Sequence, residues 1–171
     1  WGSAWLVIKL GLEDLPPFTF AALRFVVAIA ALLPLLAIRK TPLPSAWRGW
    51  WLRLGTGILT FTSAYGLVFW GEQYISSGLA ALLFGTVPLF GLLIAHFYLP
   101  AERMTSTKIT GVVLGVFGVG LVFSNELAVT GTATVWGSAA IVLAALSAAY
   151  ADVLIKHRGG HLDPTLLTVV Q

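Results

Sequence analysis

The sequence predicts an all-α polytopic membrane helical bundle of six spans and the start of a seventh, and three observations carry that prediction. Hydrophobic residues make up 58% of the 171-residue chain and charged residues only 10%, against roughly 25% charged in a soluble domain. Mean hydropathy is +0.91, so little polar surface remains to shield a core from water. Long apolar runs recur along the chain between short polar connections. Roughly 20 helical residues cross about 30 Å of hydrocarbon, and these runs have that length.

Taken in order, residues 1–12 form the end of a first span. Residues 18–38 form the second, opened by Pro16-Pro17, which suits a helix start because the first backbone N–H groups have no intrahelical partner. The third covers 54–74 and the fourth 78–99, with a tight turn at Ile75-Ser76-Ser77. One helix over both would far exceed the thickness of a bilayer. The fifth covers 107–124, the sixth 135–155, and a seventh begins at Thr165. Both termini fall inside apolar runs, WGSAWLVIKLGL and PTLLTVVQ, so the chain is expected to be a piece of a longer protein.

Lysine and arginine fix the orientation, because cytoplasmic loops collect them. Arg39, Lys40, Arg48 and Arg53 lie between spans two and three, Arg103 and Lys108 between four and five, and Lys156 and Arg158 after six. The alternate connections hold Lys9 with Glu13 and Asp14, then Glu72, then Glu126. Loops 39–53, 100–108 and 156–163 are therefore expected on the cytoplasmic side, and the first helix runs outward. The net charge of +3 is then a topology signal. It does not point to nucleic acid, since no face interleaves arginines with aromatics for base stacking. The Arg39–Arg53 cluster is placed to meet anionic lipid headgroups.

Several catalytic classes have no residues to work with. The absence of cysteine excludes disulfides, thiolate metal sites and cysteine nucleophiles. His157 and His161 have helical spacing, but Gly159-Gly160 between them favours a loop. Neither HExxH, GxSxG nor a P-loop occurs, so no metal, cofactor or catalytic group is expected.

Sliding the chain by 147 residues lays Trp5–Arg24 over Asp152–Gln171, where Ile8-Lys9 meets Ile155-Lys156, Leu15 meets Leu162 and Pro17 meets Pro164. The lysine, the loop length and the proline keep their places in one helix–loop–helix plan. A five-helix repeat has an odd number of spans, so its second copy is inverted. Inverted repeats characterise secondary transporters, whose substrate sites lie between the halves near the midplane.

Individual polar and breaking residues each admit two readings. Arg24 sits about seven residues into its helix, roughly 10 Å deep; it is either a structural charge paired with helix carbonyls or Glu72, or an anchor for a substrate anion. Glu72, between Trp70 and Tyr74, is either part of an interfacial belt or a gating or proton-coupling carboxylate. Pro88, preceded by Gly85-Thr86, interrupts its span as a static kink or as a hinge beside a cavity. Thr60, Thr62 and Tyr65 in span three, and Ser147 and Tyr150 in span six, are polar enough to face a cavity. Asp152 is spaced to pair with Lys156, and Lys9 is expected to snorkel outward. Gly111, Gly115, Gly118 and Gly120 form a small-residue stripe. It serves packing within the chain or, through Gly111 and Gly115, a homodimer contact.

These residues together resemble the EamA-type family of the drug/metabolite transporter superfamily. WGSAWLVIK is similar to the family's first-helix pattern, and LPPFTFAALRFVVA, with Arg24, to its second-helix opening. YISSGLAALLFGTVPLFGLLIA resembles the fourth helix with its mid-helix proline. PAERMTSTKITGVVLGVFGVGLV resembles the Glu102-Arg103 loop motif and the glycine-rich fifth helix, although Pro100-Ala101 stands where a small residue is usual. The resemblance implies a ten-helix inverted-repeat transporter. Residues 1–124 would be its first repeat, with helix one truncated, 125–134 an extracytoplasmic linker, and 135–171 the start of the second repeat. It implies an exporter of small metabolites such as amino acids, acting by alternating access in a bacterial or archaeal cytoplasmic membrane. Helices one, three, four and six would supply the pathway, with Ser3, Thr62, Tyr65, Trp70, Glu72, Thr86, Pro88 and Tyr150 along it. The alternatives are a non-transporting membrane scaffold and an intramembrane lipid enzyme.

Overall fold

The computed structural model describes residues 2–39, 47–99, 105–158 and Thr168, and among them every regular element is helical. They are α1 (Gly2–Asp14), α2 (Pro17–Arg39), α3 (Trp47–Gly57), a π-helical segment (Ile58–Tyr65), α4 (Gly66–Gly71), α5 (Ser77–Phe84), α6 (Val87–Tyr98) and α7 (Ser106–Arg158). The stretches Pro17–Pro34, Ser77–Tyr98 and Thr132–Arg158 are each long and apolar enough to cross a membrane. Leu23, Val26, Val27, Ile29 and Leu33 of α2 are all exposed. Such a continuous apolar face is tolerated where lipid, not water, covers it. The chain is an all-α membrane bundle.

The third span runs helically from Trp47 to Gly71 without interruption, so residues 47–53 are helix rather than the loop expected there. Arg53 is correspondingly buried in the bundle. The middle of this span is π-helical, a form in which the i→i+5 pattern displaces carbonyls from their usual donors. Ser147 of α7 answers one of them, its hydroxyl donating to the Leu59 carbonyl at 2.8 Å. Ser147→Ala removes that hydrogen bond, whose net contribution is about 0.5–1.5 kcal/mol. Thermal unfolding of Ser147→Ala beside Ser147→Thr, which keeps the hydroxyl, measures this loss.

The turn expected at Ile75-Ser76-Ser77 is present, and Ser76 caps α5 by accepting from the Leu79 N–H at 3.2 Å. The fourth span is then broken in two. Pro88 lacks the N–H that would answer the Phe84 carbonyl, so α5 ends at Phe84 and α6 restarts at Val87. Thr86 occupies the break, its hydroxyl donating to the Leu83 carbonyl at 2.6 Å.

The backbone of α7 is helical over Ser106–Arg158, a range that includes residues 125–134. No proline interrupts 107–158. Yet α7 is not a straight rod. A Cβ at Gly115 would stand 3.4 Å from Leu89 Cδ2, while the Tyr150 and Tyr98 hydroxyls lie 3.4 Å apart. Gly115 and Tyr150 would be separated by about 50 Å along a straight helix, but Leu89 and Tyr98 by only about 13 Å. The parts of α7 on either side of residues 122–131 therefore both pack on the same bundle.

Its C-terminal half forms the middle of the fold. Ala140, Ala144, Ala145, Ala149 and Ala151 are buried, and such small side chains let neighbouring helices approach closely. Ile141 and Ala144 join Trp5, Val68, Leu79 and Leu83 in the main core cluster. The pairings Gly71 with Gly137 and Leu59 with Ser147 show the third span and this half of α7 running antiparallel. Gly71 lies close against Gly137 at this crossing. Of the expected glycine stripe, Gly115 packs within the chain against Leu89, and Gly111, Gly118 and Gly120 face open space. Loop residues 100–104, including Glu102 and Arg103, and the seventh span's start, apart from Thr168, lie outside the described residues.

Candidate functional site: a cavity at the broken helix

A cavity of about 540 Å³ opens where α5 breaks into α6. That volume is in the range of small-molecule sites, about 300–1,000 Å³. Its wall takes Trp5 from α1, Thr60 and Tyr65 from the π-helical segment, Gly85 and Pro88 from the break, and Asp152 from α7. Each residue is placed by a local cause. The Trp5 ring leans on Phe84, centroids 5.3 Å apart. Tyr65 is fixed by an edge contact from Phe25 at 5.4 Å and by Phe61, stacked at 5.7 Å. Pro88 and Gly85 are there because the proline ends α5. The apolar wall is therefore rigid aromatic surface, and its polar groups are few.

Thr60 is the most telling of them. The residue lines the cavity, and its hydroxyl oxygen is buried without a hydrogen-bond partner. A buried hydroxyl is normally satisfied, and this one has no partner among the described residues. Asp152 adds an acidic group on the facing helix, and the sequence expectation of a surface pair with Lys156 gives no hint of that position.

Of the eight residues expected along a pathway, Tyr65 and Pro88 reach this cavity. Thr62 is exposed on the far side of its helix. Thr86 is buried in the break and engaged with the Leu83 carbonyl. Tyr150 lines a second, mostly apolar crevice of about 510 Å³ with Leu59, Tyr98, Leu143 and Ser147. Trp70 packs on Tyr74, ring centroids 4.9 Å apart. The side chain of Ser3 lies outside the described residues. Trp5, Thr60 and Asp152 are the additions. Which side of this span meets the cavity leaves no mark in the sequence, since its residues read as ordinary apolar helix.

Arg24 lies over the Tyr65 ring, its guanidinium carbon 5.9 Å from the centroid, a cation–π arrangement. It also lines a smaller cavity of about 230 Å³ with Ala4, Val7, Ile8 and Phe20. The expected pairing with Glu72 is not made: neither carboxylate oxygen of Glu72 has a hydrogen-bond partner. Lys9 does not snorkel either. Its ammonium donates to the backbone carbonyls of Glu72 and, at 2.9 Å, Ile75. Those carbonyls lie just past the C-terminal end of α4, where a cation also meets the negative end of the helix dipole. The end of the bundle holding Lys9, Glu72, Gly71 and Gly137 is closely packed, and the cavity lies on the other side of it, toward Asp152.

Comparisons with known proteins place these features in context. Residues 1–124 match the model of the EamA-like transporter family. The chain is 30% identical over 163 residues to the uncharacterized transporter YoaV of Bacillus subtilis, covering 95% of this chain and 56% of that protein. It is 30% identical over 154 residues to the uncharacterized inner membrane transporter YedA of Escherichia coli K12, covering 90% and 48%. A probable amino-acid metabolite efflux pump of the same bacterium is 28% identical over 128 residues, covering 74% and 40%. The chain thus spans about half the length of the curated relatives it matches. No solved structure matches it.

Proposed function

The chain belongs to the EamA-like transporter family, and from that membership we propose that it forms one half of a secondary transporter that exports small metabolites, amino acids or related compounds, across the cytoplasmic membrane. The observation that carries this reading is the cavity of about 540 Å³ at the α5–α6 break, with the unpartnered Thr60 hydroxyl on its wall. Broken helices beside a cavity near mid-membrane are how such proteins bind polar solutes, because backbone freed from the helix is tolerated only where it meets protein or a solvated space.

The basic residues Arg53, Lys156 and Arg158 put the Asp152 end of the bundle on the cytoplasmic side. The cavity then lies on the cytoplasmic side of the packed end, as an exporter loading from within requires. The flat aromatic faces of Trp5 and Tyr65 suit the apolar part of an amino acid. Thr60 and Asp152 suit its hydroxyl or ammonium groups. The 147-residue offset between Trp5–Arg24 and Asp152–Gln171 supports a second, inverted repeat beginning at 135, whose helices would complete the wall. Similarity to a probable amino-acid metabolite efflux pump supports the substrate class.

The test is efflux from vesicles holding the full-length protein and loaded with a mixture of radiolabelled L-amino acids. Efflux above that of empty vesicles is expected, reduced about tenfold by Trp5→Ala and severalfold by Thr60→Val. Val113→Ala, on the exposed face of α7, is expected to leave it unchanged. No efflux from well-inserted wild-type protein would instead favour a scaffold role. Normal efflux in both cavity variants would move the site elsewhere.

A further inference from the structure

The packed end of the bundle contains an acid that the cavity does not use. Glu72 follows α4, is 0% exposed, and has both carboxylate oxygens without a hydrogen-bond partner. A cation is close by: Lys9, from α1. Yet the Lys9 ammonium donates to the main-chain carbonyl of Glu72 itself and to that of Ile75, not to the carboxylate. An ionised carboxylate buried without hydrogen bonds bears a large desolvation cost, and a lysine in reach would normally pair with it. Of its two forms, the neutral acid costs far less to bury in this way.

The surroundings favour neither another proton donor nor another acceptor. Lys9 and, from α2, Arg24 are the charges acting on Glu72 through space. The facing residues of α5 (Ser77–Phe84) and residues 134–141 of α7 have no ionisable side chain. Tyr74, in the same turn, has its ring on Trp70. The backbone on either side of Glu72 is also tightly held, because Gly71 abuts Gly137.

We propose that Glu72 is the proton-binding site of an extracytoplasmic gate. Protonated, it is compatible with the dry, closed packing described here. When the gate opens, water reaches the carboxyl and takes its proton as hydronium; Lys9, released from the two carbonyls, then pairs with the carboxylate that remains. Binding a proton from outside reverses both steps and closes the gate. This rests on the transporter reading above and adds the ion that governs it.

The experiment places a single cysteine at Ser138, a buried residue next to Gly137, in full-length protein otherwise free of cysteine. A membrane-impermeant maleimide is added from outside across a range of pH. Thiol reactivity itself rises with pH, so the readout is the labelling rate with Glu72 divided by that with Glu72→Gln. That ratio is expected to rise severalfold from acid to alkaline pH, because only the glutamate can ionise and open the gate. A ratio flat across pH overturns the proposal. If Glu72→Gln fails to insert, Glu72→Asp serves as the divisor, and its pH midpoint is expected to differ from that of the wild type; coincident profiles overturn the proposal equally. The assay needs no substrate, so a flat ratio beside intact amino-acid efflux rejects the gate alone, whereas absent efflux beside a rising ratio rejects the substrate reading alone.

Discussion

Replacing Gly137 by valine is expected to lower the stability of the bundle by about 3 kcal/mol, the upper end of what overpacking usually costs, and to deplete folded protein in the membrane. A Cβ at Gly137 would stand 2.9 Å from the Gly71 carbonyl oxygen, 2.9 Å from Tyr74 Cβ and 3.0 Å from Ile75 Cγ2. The reverse contact is as tight: a Cβ at Gly71 would stand 2.8 Å from the Gly137 carbonyl oxygen. Side chains can rotate away from an intruding methyl, but backbone cannot, so α4 and α7 would have to separate. Separation would pull apart the Ile141 and Val68 packing just below and expose Glu72. Thermal unfolding of the full-length protein in detergent measures the effect. Gly111→Val, which meets nothing within 4 Å, is the matched comparison and is expected to melt within a few degrees of wild type. Equal melting of the two variants would mean that the helices do not cross at Gly71 and Gly137.

Replacing Lys9 by methionine is expected to cost a similar amount. The ammonium makes two charge-assisted hydrogen bonds to carbonyls of the α4–α5 turn, 63 and 66 residues away along the chain. Hydrogen bonds involving a charged partner contribute about 1.5–3 kcal/mol each, and methionine fills the same volume without replacing either. Removing the donor also strands the Glu72 and Ile75 carbonyls. The α1 contact with α5 then rests on Trp5 and Phe84 alone among its aromatic pairs. Lys9→Arg should retain most of the stability, since a guanidinium can still donate to both oxygens. A melting temperature unchanged in Lys9→Met would return the lysine to a merely solvated role.

Much of the architecture is legible because it follows from composition and backbone chemistry. Fifty-eight per cent hydrophobic residues with ten per cent charged leave the bilayer as the only solvent that suits the surface. Ser76 and Ser77 mark a turn because a serine oxygen can cap a helix start. Pro88 marks a break because it has no N–H, whatever surrounds it. The ordered patterns from Trp1 to Val122 mark the family. None of these depends on what the rest of the chain does.

What tertiary structure alone decided is which way each polar residue faces. A helix that is apolar all round has no polar face to separate inside from outside, so Thr60 and Thr62 read alike. Two residues apart, they stand on opposite sides of the helix, and the packing puts Thr60 on the cavity wall and leaves Thr62 exposed. Glycines likewise read alike, and the stripe of four draws attention by its spacing. Yet the tight crossing belongs to Gly71 and Gly137, 66 residues apart, because a close approach is a property of two backbones. The same holds for Lys9: at the end of an outward-running helix it reads as a snorkelling cation, until the fold brings two uncapped carbonyls within its reach. Solvent, span order and break points were written in the residues one at a time; the cavity wall, the crossing and the cap exist only between elements, where spacing along the chain carries no information.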